Sequence, residues 1–166
     1  MNIYELHANP ESLDHYEERL TRVPKLAYDH AKSLGKRFPE GEAAIAKDTQ
    51  CAYYYASEVI KGRFPEGEAA IAKNEWSSYY YAKDAIKGRF PEGEAAIAKS
   101  AAYALAYARD VIKGRFPGGE VAIAKDGYYA YRYASYVIGG RWPEGEAAIA
   151  NSRWKREYEN FFNVNL

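Results

Sequence analysis

The chain has 166 residues, with 23 Lys+Arg balanced by 23 Asp+Glu, so its formal net charge is zero. One domain of this length buries a full core, and the zero balance removes the simple electrostatic case for a generic nucleic-acid or anionic-membrane binder. The single cysteine, Cys51, has no intrachain disulfide partner, so nothing points to an oxidising compartment. The opening residues Met1-Asn2-Ile3-Tyr4-Glu5-Leu6-His7 lack a signal-peptide layout. No apolar run approaches the roughly 20 residues of a membrane span, and a cytoplasmic protein is expected. The outlying count is 17 Tyr, beside 6 Phe and 3 Trp.

In chain order, Asn9-Pro10-Glu11 opens a helix over Leu13, Tyr16, Glu17 and Leu20, an N-terminal cap within residues 1–23. A repeat follows over residues 24–151. Arg-Phe/Trp-Pro-x-Gly-Glu starts at Arg37, Arg63, Arg89, Arg115 and Arg141, always 26 residues apart. Each unit carries two helical signals. The first opens at Phe-Pro, with proline at the first helical position, Glu66 and Glu68 in the first turn, then Ala69-Ala70-Ile71-Ala72, good helix formers. The second begins after Asp48, Asn74, Ser100, Asp126 and Ser152, residue types that cap helix N-termini. Gly62, Gly88 and Gly114 then read as helix stops. Pro24–Leu34 aligns with Gln50–Ile60 at the same 26-residue offset, with Asp29 and His30 replacing Tyr and Ala.

Comparison of copies marks the inward face of the second helix. Tyr55, Tyr81, Tyr107 and Tyr133 share one column; Ala56, Ala82, Ala108 and Ala134 a second; Ile60, Ile86, Ile112 and Ile138 a third. These offsets lie on one helical stripe, so Ile86→Ala is expected to cost about 2–5 kcal/mol through an internal cavity. Trp154, Tyr158, Phe161 and Phe162 form a last stripe, a C-terminal capping helix within residues 152–166. The expected fold is all-α: a single domain forming a short α-solenoid of stacked two-helix repeats with distinct terminal caps. A parallel β-solenoid is the alternative.

The Arg-Phe-Pro-Glu-Gly-Glu…Tyr-Tyr-Tyr-Ala…Val-Ile-Lys-Gly-Arg pattern resembles an aromatic-rich helical repeat of tailed-bacteriophage proteins, over Leu34 to Asn151. That resemblance implies a viral protein acting in the bacterial host cytoplasm, upon a host system, and carries no catalytic residues with it.

Several columns bear on function. Arg37, Arg63, Arg89, Arg115 and Arg141 pair in the pattern with Glu42, Glu68, Glu94, Glu120 and Glu146. They read as a structural ladder or, alternatively, as a row of guanidinium forks for anions. Gly41, Gly67, Gly93, Gly119 and Gly145 sit in a helical first turn, which propensity disfavours. Close approach of a neighbouring backbone is the simplest requirement. Tyr53, Tyr54, Tyr79, Tyr80, Tyr131 and Trp76 lie outside the stripe. They read as packing, as a recognition face, or as base-stacking rings beside Lys73, Lys99 and Arg109. His7, His15 and His30 show no metal-ligand spacing. Ser12, Asp14 and His15 are too local for a nucleophilic triad, and repeated glutamates in like surroundings do not make an acid–base pair. The reading is therefore a non-enzymatic scaffold without cofactor or metal. It docks a protein partner on an aromatic face (Tyr54, Trp76, Tyr80, Tyr103, Tyr129, Tyr136), as a viral inhibitor of a host factor. A nucleic-acid or nucleotide binder using Arg, Lys and Tyr is the alternative.

Overall fold

A computed structural model describes the backbone from residue 10 and the side chains from residue 15, in each case to Leu166. Regular structure among the described residues is entirely helical, so the β-solenoid alternative falls. The helices are α1 (Pro10–Arg22), α2 (Pro24–Leu34), α3 (Pro39–Ile45), α4 (Thr49–Tyr54), α5 (Pro65–Ile71), α6 (Glu75–Tyr80), α7 (Pro91–Ile97), α8 (Ala101–Tyr107), α9 (Pro117–Ile123), α10 (Gly127–Tyr133), α11 (Pro143–Ala150) and α12 (Lys155–Phe162). They belong to two compact units, one ending at Ile71 and the other Ala72–Leu166, each taken by itself below.

The chain is an all-α repeat of the solenoid type. Its short helices (α3, α5, α7, α9, α11) start at proline. The internal long helices start behind side-chain caps. Asp48 accepts from the Cys51 N–H, Asn74 from Ser77, Ser100 from Tyr103, and Asp126 from Tyr128 and Tyr129. Ser152 departs from this pattern, because α12 begins only at Lys155. Its hydroxyl instead accepts from the Trp154 N–H and donates to the Ile149 carbonyl in the preceding turn.

Each internal long helix ends in a π turn: π1 (Tyr55–Ile60), π2 (Tyr81–Ile86), π3 (Ala108–Ile112) and π4 (Ala134–Ile138). A π turn admits an extra residue into the helix. Tyr55, Tyr81, Tyr107 and Tyr133 stand six positions before the left-handed residue that ends the helix, whereas His30 stands five before Gly35 and Tyr158 five before Asn163. The first copy is thus one residue shorter, which corrects the sequence alignment of Pro24–Leu34. His30 takes the tyrosine place and Ala31 the alanine place. The His30 ring meets Phe38 edge-on at 4.8 Å, as Tyr81 meets Phe90 at 5.0 Å.

The helix stop also differs from expectation. Lys61, Lys87 and Lys113 hold the left-handed conformation at φ 56°, 57° and 57°, and the glycines after them do not. Those glycines close the helix by donating to Ala56, Ala82 and Ala108 carbonyls. A non-glycine residue there costs about 1–2 kcal/mol. Gly35 and Gly139 fill the same place without that strain.

The closest hairpin pairs a long helix with the short helix after it: α2 with α3, α4 with α5, α6 with α7, α8 with α9, α10 with α11. Helix α1 covers α2 and α3. The core isoleucines are those of the short helices, Ile45, Ile71, Ile97, Ile123 and Ile149, all fully buried. Ile60, Ile86, Ile112 and Ile138 are only half-buried, contrary to the sequence reading. The inserted π residue breaks the 3.6-residue phase between tyrosine and isoleucine. The invariant glycines have a side-chain cause rather than a backbone one. A Cβ on Gly93 would lie 2.5 Å from the Phe90 ring and 2.7 Å from Ser78 Cβ, and on Gly67 it would lie 2.5 Å from the Phe64 ring and 2.9 Å from Ala52 Cβ. One contact therefore requires the phenylalanine, the glycine and the small residue together.

Candidate functional site

The arginine column closes on its own unit. In Arg37–Glu42, Arg63–Glu68, Arg89–Glu94, Arg115–Glu120 and Arg141–Glu146, Nε and Nη2 each donate to one carboxylate oxygen at 2.7–2.9 Å. The edge of the fork that would clasp an anion already holds a carboxylate, so the geometry follows the ladder reading. The same carboxylates reach the interior. The hydroxyls of Tyr55, Tyr107, Tyr133 and Tyr158 donate to Oε1 of Glu42, Glu94, Glu120 and Glu146 at 2.6–2.9 Å. Each hydroxyl also accepts from a backbone N–H, that of Phe38, Phe90, Phe116 or Trp142, at 2.8–2.9 Å. Each tyrosine ring is fully buried. Tyr55, Tyr107 and Tyr133 also pack on the aromatic ring of the following turn, Phe64, Phe116 and Trp142. One residue thereby joins two successive turns.

Electrostatics follow from that geometry. Burial pushes the Tyr55 and Tyr107 hydroxyls up to about 12, and raises Tyr133 as well. The arginine partner holds the carboxyls of Glu42, Glu120 and Glu146 below the usual carboxylate range. A second tyrosine–acid bond links neighbouring long helices in both units: Tyr28 to Glu58 at 2.6 Å and Tyr79 to Asp110 at 2.7 Å.

The aromatic residues singled out by sequence divide into groups. In the second unit Trp76 and Tyr80 lie 5.0 Å apart, Tyr80 meets Tyr79 at 4.8 Å, and Tyr79 meets Tyr103 at 5.8 Å. Trp76, Tyr80 and Tyr103 are half-exposed, and Tyr79 beneath them is buried. Tyr129 belongs to a second cluster, edge-on to Tyr128, which in turn meets Trp154. Tyr131 stacks on Trp154 at 5.9 Å and 22°. Tyr136 is 55% exposed and stands under the Arg132 guanidinium at 4.3 Å. In the first unit half-exposed Tyr54 meets Tyr53 and Tyr28, and with Lys25, Lys32, Cys51 and Glu58 the last lines a groove of about 400 Å³. Tyr53 and Tyr79, read from sequence as outside the core stripe, are buried, as are Cys51 and Ser77. The next long helix covers Tyr79, whose ring meets Tyr103 and whose hydroxyl donates to Asp110. Sequence reasoning missed Tyr128 and Arg132 as surface partners. Their one signal was an arginine four residues from two tyrosines on one helix face.

Cations over these rings are Lys25 and Lys32 on Tyr28, Lys83 on Tyr79, Arg132 on Tyr128 and Tyr136, and Arg153 on Trp154. Arg109 instead pairs with Asp110. Burial pushes the Cys51 thiol up to about 12, which keeps it unreactive. His7 lies outside the described residues, as do the side chains of Ser12, Leu13 and Asp14; His15 is exposed. Among the described residues no three His, Cys, Asp or Glu gather as a metal site, and no helix is long and apolar enough to cross a membrane. In comparison with known proteins, no family model, curated protein or solved structure matches the chain.

Proposed function

We propose that this is a non-enzymatic binding protein that docks a protein partner on the aromatic face of its long helices. The observation carrying this reading is the run Trp76–Tyr80–Tyr79–Tyr103 in the second unit, three of whose rings stay half-exposed on a helix surface that varies between copies. Rigid tyrosine and tryptophan anchors with polar tips suit a protein interface. The repeat columns that do not vary are used internally, which leaves the varying face for recognition. The resemblance to phage repeats supports a viral protein that sequesters or inhibits a host factor.

The test is a pull-down from bacterial lysate with the wild type and a Trp76→Ala/Tyr80→Ala variant. A stoichiometric protein partner, insensitive to moderate salt and lost by the variant at unchanged helical circular dichroism, is the expected result. Parallel loss of helicity would place those rings in packing. Binding only to labelled RNA or DNA that collapses with salt would favour the nucleic-acid alternative.

A further inference from the structure

We propose that the groove between π2 and π3 of the second unit binds a multiply charged phosphate chain, carried by free polyphosphate or by a nucleotide. The groove encloses about 340 Å³ and is lined by Lys83, Lys87, Gly88, Asp110, Val111 and Lys113. Its one carboxylate is engaged already. Asp110 accepts from Arg109 Nε at 2.6 Å and Nη2 at 2.9 Å, and from the Tyr79 hydroxyl at 2.7 Å. Lys83 stands 3.9 Å from Asp110, at the limit of pairing. Asp84, on the same π turn, does not line the groove. With Arg109 and Asp110 cancelling, three exposed ammonium groups surround one cavity. Like charges so placed repel, and an anion of several charges relieves that repulsion.

The backbone fixes where two of these ammonium groups stand. Lys87 and Lys113 both sit at φ 57°, the left-handed helix stop that Lys61 also adopts at φ 56° outside this groove. A helix C-terminus favours a nearby cation. Lysine binds phosphate as a point charge, and three lysines line this one groove. The site is distinct from the aromatic face and does not depend on its role.

The test titrates inorganic tripolyphosphate into the full chain at low salt by calorimetry, against Lys83→Gln/Lys87→Gly/Lys113→Gly and a Lys125→Gln control. The wild type and the control are expected to bind alike. The triple variant is expected to bind at least 10-fold more weakly, yet melt at the same or a higher temperature, because two strained positions become glycine. A nucleoside triphosphate arm identifies the source. Equal affinity assigns the phosphate chain alone, and a tighter complex that is also lost in the triple variant assigns a nucleotide. No wild-type binding at millimolar ligand, unchanged binding by the triple variant, or equal loss in Lys125→Gln would overturn the proposal.

Discussion

Tyr103 and Tyr107 lie one turn apart on α8 and have opposite surroundings. Tyr107 is fully buried, its hydroxyl held between the Phe90 N–H and Glu94. Tyr103 is half-exposed and meets the ring of Tyr79. The first position is tyrosine in every internal copy, while the second is Cys51, Ser77, Tyr103 or Tyr129. A column fixed by a shared hydrogen-bond node thus stands beside one free to differ. The repeated tyrosine is there for its polar tip as much as for its ring. Phenylalanine would fill the space and leave a buried N–H without an acceptor.

The widest separation between these regions should come from truncation. Tyr107→Ala is expected to cost about 3–5 kcal/mol, and Tyr103→Ala under about 1 kcal/mol, by urea denaturation. Similar losses would remove the distinction. Next, the two isoleucine columns should part. Ile97→Ala is expected to cost about 2–5 kcal/mol and half-buried Ile86→Ala about 1–1.5 kcal/mol. The reverse order would mean the π turns do not rotate Ile86 away from the core. Gly93→Ala drives a Cβ against Phe90 and Ser78 and is expected to cost about 1–3 kcal/mol. Gly140→Ala, with nothing within 4 Å of its Cβ, should change stability by under about 0.5 kcal/mol.

The pH dependence gives the smallest but most specific contrast. Glu42, Glu120 and Glu146 are held below the usual carboxylate range by arginine. Their contribution is therefore fully present above the unfolded value of about 4.3. It is lost as pH falls below that through the folded values. Thermal melts should be level from neutral pH to about 5 and fall below about 4. A decline centred near neutrality would contradict this assignment.

Most of the architecture was legible before any coordinates. The 26-residue spacing, the Phe-Pro starts and the Asp/Asn/Ser caps located both helices of each copy. Three features were not legible, for one physical reason. A π turn leaves no residue signature, yet it shifts every contact after it by one place. That shift hid the identity of His30 with the tyrosine column, half-exposed the isoleucines after it, and moved the left-handed stop from Gly62, Gly88 and Gly114 to the lysine before each. For the candidate site, identical copies allowed the Arg–Glu ladder to be anticipated, because a pair within one copy repeats with it. The burial of Tyr79 depends on Tyr103 and Asp110 of the next copy, which a single copy's periodicity does not reveal.

The central claim is that the tyrosine hydroxyls joining successive turns are inside and protonated in the folded protein. Ultraviolet titration of tyrosine ionisation, recorded together with helical circular dichroism from pH 8 to 13, tests it directly. Burial raises Tyr55 and Tyr107 to about 12, so their contribution is whole below the ordinary value of about 10. It declines as pH rises from there through about 12. Two phases are expected, an early one with the fold intact and a later one in which the interior set ionises only as helicity collapses. A single phase that accounts for every tyrosine while the helical signal persists would contradict it.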